Sequence, residues 1–160
     1  MGCDIHMVLE RHVTLRTNER RWVGVHNFPA LNSIAVRMPE GTTYLWWNVQ
    51  DRSYEFFAQL AGVRGDGPRV PKGVPPDVSD LARMEIDSWS GDGHNHSYLP
   101  LREFAQAYLD VNLEANAKVV TQRMDGGSWA LDSFAAALVG ADYGKPEDLD
   151  DFRVVFWFDN

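Results

Sequence analysis

Two short segments of this chain concentrate side chains that can hold a metal ion or move a proton. The first is Cys3-Asp4-Ile5-His6, and the second is Ser90-Gly91-Asp92-Gly93-His94-Asn95-His96-Ser97. Three of the five histidines lie in these two segments, so imidazole is gathered rather than scattered. Neutral imidazole and carboxylate are standard ligands for Zn²⁺ and Mn²⁺. Alternate side chains of a strand share a face, so Asp4 and His6 should point one way, and His94 and His96 should form a second such pair. Gly91 and Gly93 free the backbone to turn neighbouring side chains toward one point. The pattern points to a divalent ion, Zn or Mn, held by Asp4, His6, Asp92, His94 and His96, with Asp92 and His94 as catalytic candidates. A lone His-x-His is a weak signal, however, and glycine-flanked Asp and His also serve as turn residues and caps. A metal-free site with no cofactor and a purely structural role are the rival readings. A Cys3 nucleophile paired with His94 or His96 is another, and it needs a depressed thiol pKa. The reading preferred for Cys3 is a small buried residue beneath a site that its neighbours form.

Arg52, Arg64, Arg69 and Lys72 flank or lie on a helix and a proline-rich loop. Arginine suits bidentate contacts with phosphate or carboxylate, although plain surface charge is the alternative. Trp46 and Trp47 precede that helix, Tyr54 lies at its start, and Trp89 precedes the histidine segment. These rings could wall a pocket for a base or another planar group, or they could be core.

The elements that would position these groups follow from periodicity. Ile5, Met7 and Leu9 alternate with His6, Val8 and Glu10, a pattern that runs loosely to Leu15 and predicts a strand. A polar turn, Arg16 to Arg20, leads to a second strand through Trp22, Val23 and Val25, completing a hairpin. Residues 27–41 read as loop with a short ordered piece, and Thr42 to Val49 as β-prone. Tyr54, Phe57, Leu60 and Ala61 share a helical face, capped by Asp51 or Ser53 and ended by Gly62. Four of the eight prolines fall in the loop 65–77, which is a surface excursion or a lid. Leu101 to Leu109 reads as a helix that can continue to Lys118, with Pro100 at its start. Asp125 to Gly127 reads as a turn, Asp132 to Val139 as a short helix, and Asp142 to Asp151 as a solvated acidic stretch. Phe152 to Phe158 is apolar except for Arg153, as expected of a covered strand. Antiparallel pairing of the first and last strands would bring Asp4 and His6 to one rim with Asp159 and Asn160.

The whole predicts a single domain, 1–160, of the α+β class. A mixed or antiparallel sheet with an N-terminal hairpin and a C-terminal strand is packed with two to four helices. The 160 residues suffice for one core. Fifteen Lys and Arg against 23 Asp and Glu give a net charge of −8, which argues against general nucleic-acid or anionic-membrane binding. No signal peptide or membrane helix is visible, and His6 stands where myristoylation usually wants Ser or Thr. One cysteine allows no intrachain disulfide, so a cytoplasmic location is expected.

Met1-Gly2-Cys3-Asp4-Ile5-His6 resembles the start of a group of uncharacterised bacterial and phage proteins. The likeness extends to Arg52-Ser53-Tyr54, to Phe57 through Arg64, and to Gly73-Val74-Pro75-Pro76-Asp77-Val78-Ser79. It continues at Asp92 to Ser97 after a tryptophan, and at Val154 to Asp159, but not over residues 27–45 or 110–150. The resemblance implies no activity. The residues themselves lead to a metal-dependent hydrolase of a phosphate-containing small molecule, such as a nucleotide. The first alternative is a protein that binds or sequesters such a ligand without catalysis, and the second is a structural or partner-binding protein. The expected partner is a small-molecule ligand, and the oligomeric state is not legible.

Overall fold

The N-terminal alternation does form a hairpin, β1 (Ile5–Thr14) and β2 (Arg20–Asn27), in a computed structural model that describes residues 2–27, 34–38, 41–45, 52–120, 135 and 146–160. Its turn carries Asn18 at φ 62°, a left-handed position that asparagine tolerates better than most residues. The C-terminal strand β6 (Phe152–Phe158) pairs antiparallel with β1, with Ile5 opposite Phe158. Strand β5 (His94–Pro100) pairs antiparallel with the other edge of β6, giving the order β2-β1-β6-β5. An interior place explains why β6 is apolar except for Arg153, and each of its residues is buried. A separate two-stranded sheet joins β3 (Ile34–Met38) to β4 (Gly41–Leu45), where the sequence suggested mostly loop before Thr42.

Three helices complete the described α+β architecture. The first, α1 (Tyr54–Ala61), begins where Ser53 accepts a bond from the Phe56 amide and ends at Gly62, φ 63°. The third, α3 (Leu101–Val120), follows Pro100 directly. Between them lies α2 (Asp80–Ser88), which periodicity did not reveal because only Ala82 and Ile86 are buried on it. Its start is signalled by Ser79, whose hydroxyl accepts from the Ala82 amide. The stretch read as solvated contains a 3₁₀ turn, Pro146–Asp151, whose Leu149 is buried in the core. The predicted turn 125–127 and helix 132–139, with Trp46, Trp47 and Asp51, lie outside the described residues, apart from Ala135.

Strand alternation sorts the packing onto two faces. Cys3, Ile5, Met7 and Leu9 join Val154, Phe156 and Phe158 in a core with Phe57 and Leu60 of α1 and Phe104 of α3. Val8, Val155 and Trp157 face the other way and pack with Ala82 and Ile86 of α2. The proline-rich loop spans these layers and is fastened along its length. Arg69 donates to the Gln59 carbonyl (3.0 Å), the Lys72 amide to the Ser97 hydroxyl (3.2 Å), and the Gly73 amide to the His96 carbonyl (2.8 Å). It thereby covers the outer edge of β5, which would otherwise present unpaired backbone groups.

Candidate functional site at the sheet rim

The β1–β6 pairing places the beginning of the chain beside its end. The Asp4 amide donates to Asp159 Oδ1 (3.0 Å), and the Asp159 amide returns a bond to the Asp4 carbonyl (3.2 Å). His6 Nε2 lies 3.3 Å from Asp159 Oδ2, though out of line for a hydrogen bond. The His6 ring packs against Trp89 at 3.9 Å and Trp157 at 5.7 Å between centroids. Asp4, His6, Trp157 and Asp159 thus occupy the α2 side of the rim. Arg52, just before α1, grips Asp4 with two bonds, Nε to Oδ1 at 2.8 Å and Nη2 to Oδ2 at 3.2 Å. Those bonds, and the guanidinium charge, hold the Asp4 carboxyl below its ordinary range. The guanidinium occupies the space where a side chain at residue 2 would stand, so a larger residue there would displace this flexible group.

On the opposite side of the rim, Cys3 is fully buried. Burial pushes its thiol above the ordinary value, against the pull of Arg64, so the nucleophile reading lacks the depressed pKa it requires. Neither His94 nor His96 is among the groups that shift it. The position fits the expectation of a small buried residue beneath the rim. Arg64, just after α1, donates to Asn160 Oδ1 (3.3 Å) and lies 6.0 Å from the Tyr54 ring centre. A 500 Å³ cleft opens beside Arg64 and Tyr54, lined also by Glu55, Asp66 and Asp110.

The histidine segment departs from expectation. A β-bulge interrupts β5 between His94 and Ser97, with Asn95 at φ 50°. Two residues, Asn95 and His96, therefore stand opposite Trp157, and alternation is broken. His94 stacks on Phe158 (6.2 Å) on the α1 side, whereas His96 stacks on Trp157 (6.3 Å) on the α2 side. The two imidazoles do not share a face. Asp92 is an exposed turn residue whose amide donates to the Trp89 carbonyl (3.0 Å). Among the described residues, no three His, Cys, Asp or Glu side chains are placed to hold one ion. Arg69 and Lys72 also miss the rim, since Arg69 bonds the Gln59 carbonyl and Lys72 lies 5.1 Å from the Tyr98 ring centre. Composition did not single out Trp157, but its place two residues before Asp159 puts it on the polar side of β6.

Burial, and secondarily the charge of His94, lowers the His96 pKa from its ordinary 6.5. Below pH 6.5 the unfolded chain then binds the proton more readily than the folded one. Folding stability contributed by neutral His96 falls as pH drops from 6.5 toward the lowered folded value. His96→Gln should flatten that part of a urea-midpoint profile measured between pH 7.5 and 5. An unchanged slope would assign the dependence to another group.

Among the described residues, no helix is long and apolar enough to cross a membrane. No family model matches the chain, and no curated protein or solved structure matches it significantly.

Proposed function

We propose that the protein binds a small phosphate-containing ligand of the nucleotide type at this rim, through side chains rather than a resident ion. One observation carries the reading. The two ends of α1 deliver two guanidinium groups, Arg52 and Arg64, to residues just before β1 and just after β6, Asp4 and Asn160. Planar forked donors match phosphoryl oxygens bidentately. In a chain of net charge −8, anion capture depends on such local cations. Arg64 bonds a neutral amide, which leaves its charge for a ligand. Glu55, Asp66 and Asp110 disfavour the phosphate within the cleft itself but can accept bonds from the amino edge of a base. Tyr54 offers a half-exposed ring beside them.

Calorimetric titration with nucleoside mono-, di- and triphosphates tests this. Arg64→Gln should weaken binding by about 10–100-fold, the worth of one or two charge-assisted bonds, while the fold stays intact. Equal affinity in the variant, or no binding of any nucleotide by the wild type, would remove the proposal. Recovery of the ligand distinguishes binding from hydrolysis. A cleaved product would implicate His6, the imidazole with a carboxylate behind it, as the proton-transfer group.

A further inference from the structure

Arg52 differs from Arg64 in one respect that has consequences for what can bind. Its guanidinium already carries a bidentate carboxylate, Asp4, at 2.8 and 3.2 Å. A bidentate carboxylate presents two oxygens to the fork of an arginine much as a phosphoryl group does. The pair is accessible, with side chains 53% and 47% exposed, so exchange with a dissolved anion needs no opening of the core. Asp4 is anchored independently through its backbone, which bonds Asp159 in both directions. Its carboxylate can therefore leave Arg52 while the strand end stays in place.

We infer that Asp4 is an internal competitor for the ligand's anionic group, and that it restricts the rim to pyrophosphoryl or dianionic phosphoryl groups over carboxylates. This rests on the binding reading above. A monoanionic carboxylate offers Arg52 nothing that Asp4 does not already give, and Asp4 is tethered at high effective concentration. A pyrophosphate brings more charge than a carboxylate and offers more oxygens to the fork of Arg52. Asp4 is thus a specificity-determining residue, and the sequence pattern that suggested a metal ligand marks an anion gate.

Titration of pyrophosphate, inorganic phosphate and acetate into wild type, Asp4→Asn and Asp4→Ala tests the inference. Asp151→Asn removes the same charge at the exposed Arg20 pair and serves as the control. Wild type should bind pyrophosphate more tightly than phosphate and leave acetate unbound. Both Asp4 variants should gain about tenfold for pyrophosphate, the scale of one released charge-assisted contact, and Asp151→Asn less than about twofold. Acetate should become detectable only in the Asp4 variants. Pyrophosphate binding in the wild type that the Asp4 variants do not strengthen, or that Asp151→Asn strengthens equally, overturns the gate and leaves the binding reading standing. No pyrophosphate binding in any of the proteins overturns the gate, and failure with nucleotides as well overturns both.

Discussion

Arg153→Met should destabilise the protein by about 3–5 kcal/mol, because it strands a buried carboxylate. Arg153 is 6% exposed, and its Nε donates to Glu10 Oε2 at 2.5 Å. Nη1 and Nη2 reach Asp77 Oδ1 (2.9 Å) and the Asp77 carbonyl (3.1 Å). The guanidinium lies 4.0 Å from the Trp22 ring centre and 5.5 Å from that of Tyr98. Glu10 has no exposed surface, and its other oxygen accepts the Ser79 amide at 2.7 Å. Methionine would keep much of the volume but leave Glu10 charged, buried and held only by one backbone bond. The effect should spread, since Ser79 caps α2 and Trp89 at its far end lies on His6. Glu10→Leu combined with Arg153→Met should cost clearly less than the sum of the single changes, because the pair is removed together. Urea unfolding of the four proteins measures this. A single-variant loss under about 1 kcal/mol, or an additive double variant, would mean that the pair is not energetically isolated from water.

This network also shows where sequence reading stops. The hairpin, α1 with its Ser53 and Gly62 boundaries, α3 and the buried β6 follow from period and capping, which are local. A strand apolar on both faces needs cover on each, which does not name its neighbours, so the β1–β6 pairing entered as a supposition that the register then bears out. That pairing joins Asp4 and His6 to Asp159, whereas Asn160 bonds Arg64 instead. Partner choice within the rim was not legible. Arg52 and Arg64 were singled out for a ligand, but that Arg52 already holds Asp4 depends on a contact spanning 48 positions. The histidine segment failed for a different reason. Alternation assumes an unbroken ladder, and a single left-handed residue, Asn95, sends His94 and His96 to opposite faces. Gly91 and Gly93 signalled an irregular backbone, but not where the irregularity would fall. Helix α2 went unseen because a helix resting on an aromatic sheet needs few apolar residues of its own, and here two buried ones suffice.

Trp157 tests how much the rim depends on the packing beneath it. Trp157→Ala should destabilise the fold by about 3–5 kcal/mol, as large aromatic truncations in a core do. The residue is 1% exposed and lies between His6 and His96 on the α2 side, above Val8, Val155 and Ile86. Its indole Nε1 is buried without a hydrogen-bond partner among the described residues. An unsatisfied buried donor costs about 1–3 kcal/mol. Trp157→Phe removes that donor and also gives up part of the ring, a loss of about 1 kcal/mol by area with a small cavity added. The two terms oppose each other. The phenylalanine variant should therefore lie within about 1 kcal/mol of wild type, although the alanine variant is crippled. If this packing also shields His6, whose Nε2 is buried, the alanine variant should gain reactivity of His6 toward an imidazole-acylating reagent relative to exposed histidines, and the phenylalanine variant should stay near wild type. Denaturant unfolding and site-resolved mass spectrometry give both readings. A phenylalanine variant losing 3 kcal/mol or more would show that ring volume dominates and that the unpaired N–H carries little weight.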